Sequence, residues 1–264
     1  MNFKEQIFWV TGASSGIGKS LAVALSNYGA KLIISSRNES FLREVKKLCK
    51  VPENVMILPL DLEDYENLPE KVTKAISFFG RVDVLVNNGG ISQRSLVKDT
   101  SIKVDKRLMD INYLGTVSLT KALLPHFIEK KSGHFVVTTS IVGKIGTPLR
   151  STYAATKHAL HGFFDSLRAE HYKDNIAVTL VCPGFVTTNV SKNALTGNGT
   201  PQNTMDTATA NGIHPDRFAE FMLKAIKNRK EEVYIAGVKE KLGVYTKRFF
   251  PKLLSKMIRK LSVT

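Results

Sequence analysis

Cysteine is scarce. Only Cys49 and Cys182 occur in 264 residues, too few for a disulfide framework or a four-ligand zinc site, so no metal is expected and a reducing compartment suits the chain. No apolar run reaches the ~20 residues needed to span a bilayer. The N-terminus has only Lys4 before a short apolar stretch that Thr11 and Gly12 interrupt, a poor secretory signal. The expectation is a cytoplasmic protein, at most peripheral to a membrane surface. The 18 glycines and 9 prolines follow no period, which excludes collagen-like and low-complexity chains. With 43% hydrophobic and 23% charged residues, wholesale disorder is excluded too.

Acids are in deficit. The chain holds 38 Lys and Arg against 23 Asp and Glu, a net charge of +15. Such a balance suits a polyanion, an anionic membrane or simple solubility. Position narrows the choice. Residues 239–264 carry eight cations against one acid, Glu240, close to half of the chain's excess. The rest is mildly basic, and outside this tail no basic stripe is interleaved with stacking aromatics, so no nucleic-acid partner is expected.

Apolar runs and helical periods alternate along the chain. Strands are expected at Ile7–Val10, Lys31–Ser35, Val55–Leu60, Val82–Val86, His134–Ser140, Ile176–Cys182 and Glu232–Ile235. Helices are expected after Gly18, at Phe41–Cys49, Leu68–Phe79, about 104–130, about 152–172 and about 215–229, where His214-Pro215-Asp216 reads as a helix start. Strict alternation with near-continuous apolar strands reads as an α/β doubly wound parallel sheet of about seven strands, in one domain, with helices on both faces. That domain is expected over 1–237, with a basic amphipathic extension over 238–264.

Thr11-Gly12-Ala13-Ser14-Ser15-Gly16-Ile17-Gly18 joins the first strand to the first helix. Glycines there permit a tight turn and a close approach to a pyrophosphate, and the helix N-terminus adds free N–H groups and a positive dipole end. The second strand ends at Ser36-Arg37. A carboxylate in this region would hold the ribose 2′-hydroxyl of NAD. Ser36 is not acidic, and Arg37 suits a 2′-phosphate, so NADP is favoured over NAD. Tyr153 and Lys157 lie four apart on a helix, hence on one face. An ammonium beside a phenol favours phenolate and lowers its pKa. Ser140 ends a strand thirteen residues before Tyr153, and Asn112 lies inside the long helix.

Together these motifs resemble the short-chain dehydrogenase/reductase family, single-domain type, over residues 4–237. Gly12, Ser14, Ser15, Gly16, Ile17 and Gly18 match its glycine turn. Asp61 and Leu62 match the pair that contacts adenine. Asn88-Gly89-Gly90 matches its NAG motif, with Gly89 in place of alanine, a departure whose extra backbone freedom a loop should tolerate. Pro183, Gly184, Val186 and Thr188 match the segment that holds the nicotinamide carboxamide. The resemblance implies a four-residue catalytic set. Tyr153 acts as acid or base, Ser140 stabilises the oxyanion, Lys157 holds the ribose and lowers the tyrosine pKa, and Asn112 anchors a relay water. It implies a carbonyl or alcohol substrate and a homo-oligomer. Ser92-Gln93-Arg94-Ser95, Asp105-Lys106-Arg107 and Met205-Asp206-Thr207 are similar, more loosely, to a branch of membrane-associated steroid and lipid-ketone reductases, which implies a hydrophobic substrate.

Two segments stay open. Residues 190–213 are rich in Asn, Thr and Gly with no clear period. Having little apolar area, they read as a lid over the substrate that orders only when ligand arrives. In the tail, Tyr245, Phe249, Leu253, Met257 and Leu261 recur every four residues among cations. That face suits an anionic bilayer or docking onto the domain or a second subunit. His158 and His161 read as structural or substrate-rim residues, and Cys182 as a small core residue. A non-catalytic nucleotide-binding or basic nucleic-acid-binding protein on this fold is the alternative function.

Overall fold

The computed structural model describes residues 3–259. Seven strands form one parallel sheet in the order β3-β2-β1-β4-β5-β6-β7. They are β1 Ile7–Thr11, β2 Lys31–Ser35, β3 Val55–Ile57, β4 Val84–Asn87, β5 Gly133–Thr138, β6 Ile176–Pro183 and β7 Glu232–Ile235. The helices are α1 Gly16–Asn27, α2 Glu39–Leu48, α3 Leu68–Phe79, α4 Ile102–Met109, α5 Gly115–Glu129, α6 Ser151–Glu170, α7 Thr207–Ala210, α8 Pro215–Lys227, α9 Val238–Phe249 and α10 Pro251–Ile258. The doubly wound α/β fold read from the sequence is thus present.

The strands are apolar on both sides because both faces are covered. In β1, Phe8 and Val10 pack with Leu21 and Leu25 of α1 and Phe218 and Met222 of α8. Ile7 and Trp9 point the other way, toward Leu119, Leu123 and Phe127 of α5 and Phe164 of α6. Each such buried side chain contributes about 1.5–3 kcal/mol. The sheet grows outward from β1 in both directions: β2 and β3 on one side, β4 to β7 on the other. The order reverses between β1 and β4, and their carboxyl ends frame the crevice where open α/β sheets take ligands.

Two helical expectations change. The helix expected over about 104–130 is α4 and α5 joined by a π turn, Asp110–Leu114. Crowding at its end fits the altered winding, since a Cβ on Gly115 would lie 2.2 Å from the Leu62 carbonyl oxygen. The tail does not run as one helix. Pro251 stands at the first position of α10 and breaks the chain at Phe250, as a residue without an N–H must in a helix interior.

Candidate active site

Gly12 and Gly16 carry φ of +63° and +53°, the left-handed region that glycine enters freely. Gly18 answers a different need, because a Cβ there would lie 2.3 Å from the Gly12 carbonyl oxygen. Ser15 caps α1 without a side-chain hydrogen bond, and no acid occupies the first turn. The first N–H groups of α1 therefore face the crevice without a side-chain acceptor or a negative charge, as a phosphate cradle requires. A cleft of about 350 Å³ opens there, between Ser15, Gly16, Lys19 and Ser20 on one side and Thr187, Thr188 and His214 on the other.

The turn is pinned from β4. Thr11 Oγ1 accepts from the N–H groups of Asn88 and Gly89, both at 3.0 Å. The Asn88 amide donates to the carbonyls of Thr11 and Gly12 at 3.1 and 3.3 Å, and Thr138 donates to Asn88 Oδ1 at 3.2 Å. Asn88 thus ties three strand ends together. Gly89 has no positive φ, and the one close neighbour of a Cβ there, at 2.7 Å, is Leu62 Cδ1, the movable tip of a side chain, so the position does not demand glycine. Asp61 accepts from the Glu63 N–H at 3.1 Å. Arg37 is exposed beyond the end of β2.

β5 stops at Thr138, so Ser140 lies two residues past it and opens the short 3₁₀ turn Ile141–Gly143, accepting from the Val142 N–H at 3.2 Å. Gly143 lets this turn press on α6, where a Cβ would lie 3.1 Å from Lys157 Cβ. The Ser140 hydroxyl lies near enough to Tyr153 to lower its pKa. Lys157 is buried, donates to the Thr138 carbonyl at 2.9 Å and lies 5.8 Å from the Tyr153 ring centre. Burial lowers its pKa to about 8.

The electrostatics differ from the expectation. Burial raises the Tyr153 pKa above its ordinary value, and the opposing influences are the Ser140 hydrogen bond and the guanidinium charges of Arg150 and Arg94, not Lys157. Asn112 is fully buried in the π turn. Its amide donates to the Ile91 carbonyl at 2.9 Å and to Thr156 at 3.2 Å, and its Oδ1 accepts from the Ile91 N–H at 2.8 Å. Both side-chain donors are spent on the protein, so the side chain could hold a relay water only through the Oδ1 lone pair that remains.

The sequence profile of the short chain dehydrogenase family matches residues 6–199. The human "Dehydrogenase/reductase SDR family member 7" is 43% identical over 254 residues, covering 94% of this chain and 75% of that protein. A Xenopus laevis "Dehydrogenase/reductase SDR family member 7B" is 41% identical over 252 residues, covering 92% and 78%. The chain belongs to the short-chain dehydrogenase family. A short-chain dehydrogenase from Streptomyces avermitilis superposes with TM-score 0.80 at 26% identity, covering 96% of both chains. A Burkholderia phymatum family member solved in complex with NAD shares the fold, with TM-score 0.83 at 21% identity over 96% of both chains. The protein is therefore an oxidoreductase of this family.

Four residues shape this dehydrogenase site beyond the family motifs. Gln93 is fully buried, and its Oε1 accepts from the N–H groups of Thr152 and Tyr153 at 2.9 and 3.2 Å. It caps α6 from outside the helix, since Arg150 at the N-cap makes no side-chain cap. Arg94, Arg150 and Asp206 form a buried ion cluster. Asp206 Oδ2 accepts from Arg94 Nε at 2.8 Å and from Arg150 Nη2 at 3.4 Å, and Oδ1 accepts from Gln202 at 3.0 Å.

This cluster corrects the reading of residues 190–213 as a segment with little to hold it down. Ser191, Ala194, Leu195, Asp206 and Thr209 are all buried. Leu195 exchanges backbone hydrogen bonds with Ser92 and Arg94 at 2.9 and 2.8 Å. The anchors are polar and small, so hydrophobic composition does not register them.

His161, Cys182 and Glu232 offer ligand atoms within 4.8 Å of one another. Cys182 and Glu232 lie on opposite sides of the His161 ring, so the three do not converge on one metal position. Cys182 Sγ faces His161 Nε2 at 3.8 Å, while Glu232 Oε2 lies 3.4 Å from Nδ1 on the opposite side of the ring and 2.6 Å from the Lys144 ammonium. Burial raises the Cys182 thiol to about 12. Burial would raise Glu232 as well, but His161, Lys144 and Tyr234 hold it down to about 2. His161 is therefore a buried structural residue, whereas His158 is exposed.

Proposed function

We propose that the protein is an NADP(H)-dependent oxidoreductase that moves hydride between the nicotinamide and a carbonyl or alcohol carbon of a hydrophobic ketone or lipid-like substrate. The observation that carries this reading is the meeting of Ser140, Tyr153 and Lys157 at the sheet edge that also bears the glycine turn. When bound, the cofactor supplies the hydride chemistry. The residues suited to hold it are Gly12, Ser14, Ser15, Gly16, Ile17 and Gly18 at the pyrophosphate, and Asp61, Leu62, Asn88, Gly89 and Gly90 toward the adenine and the crevice floor. Pro183, Gly184, Val186 and Thr188 suit the carboxamide end. The open N-terminus of α1 and the left-handed Gly16 fit that role. Arg37, exposed beyond the end of β2, has the chemistry that suits a 2′-phosphate, which supports NADP over NAD.

Tyr153 donates its hydroxyl proton to the substrate oxygen, and Ser140 hydrogen-bonds the same oxygen as charge develops. Burial raises the Tyr153 pKa; the group gives its proton in reduction and takes one in the reverse direction. Lys157, with a pKa of about 8, is mostly protonated at pH 7 and donates to the ribose hydroxyls. The remaining lone pair of Asn112 Oδ1 takes the relay water. The likeness of Ser92–Ser95 and Met205–Thr207 to the lipid-ketone reductase branch supports an apolar substrate.

An NADPH-oxidation screen across ketones, aldehydes and acyl-linked carbonyls tests the reading. Tyr153→Phe keeps cofactor binding and loses at least ~10²-fold in turnover; near-normal turnover overturns the mechanism. NADPH binds roughly 10–100-fold tighter than NADH by titration, and Arg37→Ala shrinks that ratio. A wild-type preference for NADH overturns the assignment.

A further inference from the structure

The tail helices carry two apolar faces, and only one of them is used by the domain. Val244 of α9 and Leu254 of α10 are buried with Ile141, Ile145 and Cys182, and Tyr234 and Ala236 pack against them. Tyr245 meets the edge of Tyr234 at 6.5 Å between ring centres. The tail is thus seated beside the turn that follows Ser140. Its start lies against the Pro183-Gly184 corner, where a Cβ on Gly184 would come within 3.2 Å of Glu240 Oε1.

The second face is turned to solvent. Val238, Leu242, Tyr245 and Phe249 follow the spacing that makes one stripe on a helix, and Val238 and Phe249 are 83% and 67% exposed. Phe250, Leu253 and Met257, at and beyond the break into α10, are also exposed. At ~100° per residue, Val244 falls roughly 130° around α9 from this stripe. Docking on the domain therefore leaves the stripe uncovered. Lys239 flanks it on one side and Lys241 and Arg248 on the other. Lys252, Lys256 and Arg259 add cations along α10, and the one acid of residues 239–264 is Glu240. Leu261 and Lys260 lie outside the described residues.

We infer that this stripe is a docking surface for an anionic lipid bilayer. Apolar side chains enter the headgroup boundary, and the flanking lysines and arginines meet lipid phosphates and carboxylates. A second copy of this chain explains the surface less well, because two such faces would bring like charges together. With the tail seated beside Ser140 and Gly184, docking brings the mouth of the site close to the lipid. The docking itself does not depend on the reaction. Its use in taking substrate from the bilayer rests on the apolar carbonyl substrate proposed above.

Co-sedimentation of the full chain with vesicles tests the docking without any substrate. The chain binds vesicles of phosphatidylcholine containing phosphatidylserine, and binds phosphatidylcholine alone far more weakly. Raising the salt releases it. Phe249→Ser with Leu253→Ser, and separately Lys241→Glu with Arg248→Glu, lower binding roughly tenfold or more. Both pairs are on the surface, so their melting temperature and turnover of a water-soluble ketone stay at the wild-type level. Equal binding by wild type and both variants, or no binding to the anionic vesicles, overturns the proposal. So does a wild-type dimer that the same substitutions split into monomers, as light scattering would read. Turnover of a vesicle-embedded ketone then reports on substrate delivery: the variants lose it selectively. If vesicles bind the chain but no apolar carbonyl is reduced, the substrate reading fails and the docking stands.

Discussion

The loop 190–213 and the tail helices α9 and α10 both border the crevice at the carboxyl edge of the sheet, and they are held in opposite ways. The loop is polar, yet its Asp206 carboxylate is almost fully buried and takes hydrogen bonds from Arg94, Arg150 and Gln202. The tail is rich in aromatic and aliphatic residues, yet among the described residues it buries only Val244 and Leu254. Apolar composition therefore misjudges both. It counts area that could be buried, not where charges meet or which face finds a partner. A paired buried charge is a strong anchor chiefly because breaking the pair is costly, whereas an apolar stripe without a partner contributes nothing to holding its helix.

The largest effect expected is at Asp206. Asp206→Ala leaves Arg94 and Arg150 buried with an excess positive charge, a change that costs about 3–5 kcal/mol where a buried pair is broken. Hydrogen exchange locates that loss. Protection falls at Ser191–Leu195 and Thr207–Ala210 while β1, β4 and β5 keep theirs, and turnover drops as the loop leaves the site. Unchanged protection there would show that backbone bonds alone fix the loop. An acid limit follows as well. Burial alone would raise the Asp206 pKa, but hydrogen bonds from Arg94 and Gln202 and the arginine charges hold it below its ordinary value of 3.8. This stabilisation is present above that value and is lost as pH falls through the lower folded pKa. Among the described residues the tail makes no equivalent buried carboxylate pair, and it should show no matching local transition.

A smaller effect is expected at Gln93, which belongs to the same side of the comparison. Gln93→Leu keeps the volume but removes the acceptor for the Thr152 and Tyr153 N–H groups. A lost cap costs about 0.5–2 kcal/mol. Because the N-terminal turn of α6 carries Tyr153, turnover should fall more than NADPH affinity. Equal losses in both would point to a general loss of stability and not to positioning of the tyrosine.

The parts that a sequence reveals here are those whose spacing is local. Thr11 to Gly18 lies in one turn, Tyr153 and Lys157 share one helical face, and β7 and α3 follow from uninterrupted patterns. The ion cluster is invisible to that reading, because Asp206 lies 112 residues from Arg94 and 56 from Arg150. The short runs around Gln93 and Asp206 could be noticed, but nothing in their spacing says that they meet. The same holds for Tyr153, whose pKa depends on burial and on arginines that the fold brings near. Pro251 is different. The break between α9 and α10 was legible from that residue, and the four-residue apolar period running through it hid the signal.

The smallest effect is expected at the seat of the tail. Leu254→Ala removes most of a side chain that is 5% exposed. Such truncations in a closed core cost about 2–5 kcal/mol. Here the surroundings are a small cluster at the molecular surface, bordered by exposed Phe250 and Leu253, so the site can collapse and the cost should fall below ~2 kcal/mol. Global melting should hardly move, because the two large clusters on either face of the sheet do not include this residue. The loss should appear as faster hydrogen exchange in Pro251–Ile258 and, more weakly, in Val238–Phe249. The catalytic side answers through Ile141 and Ile145, which pack on Val244: loosening that contact should raise the KM of the carbonyl substrate while NADPH binding stays unchanged. If Leu254→Ala instead unfolds the protein as readily as Asp206→Ala, the tail is as firmly integrated as the loop, and the contrast between the two regions fails.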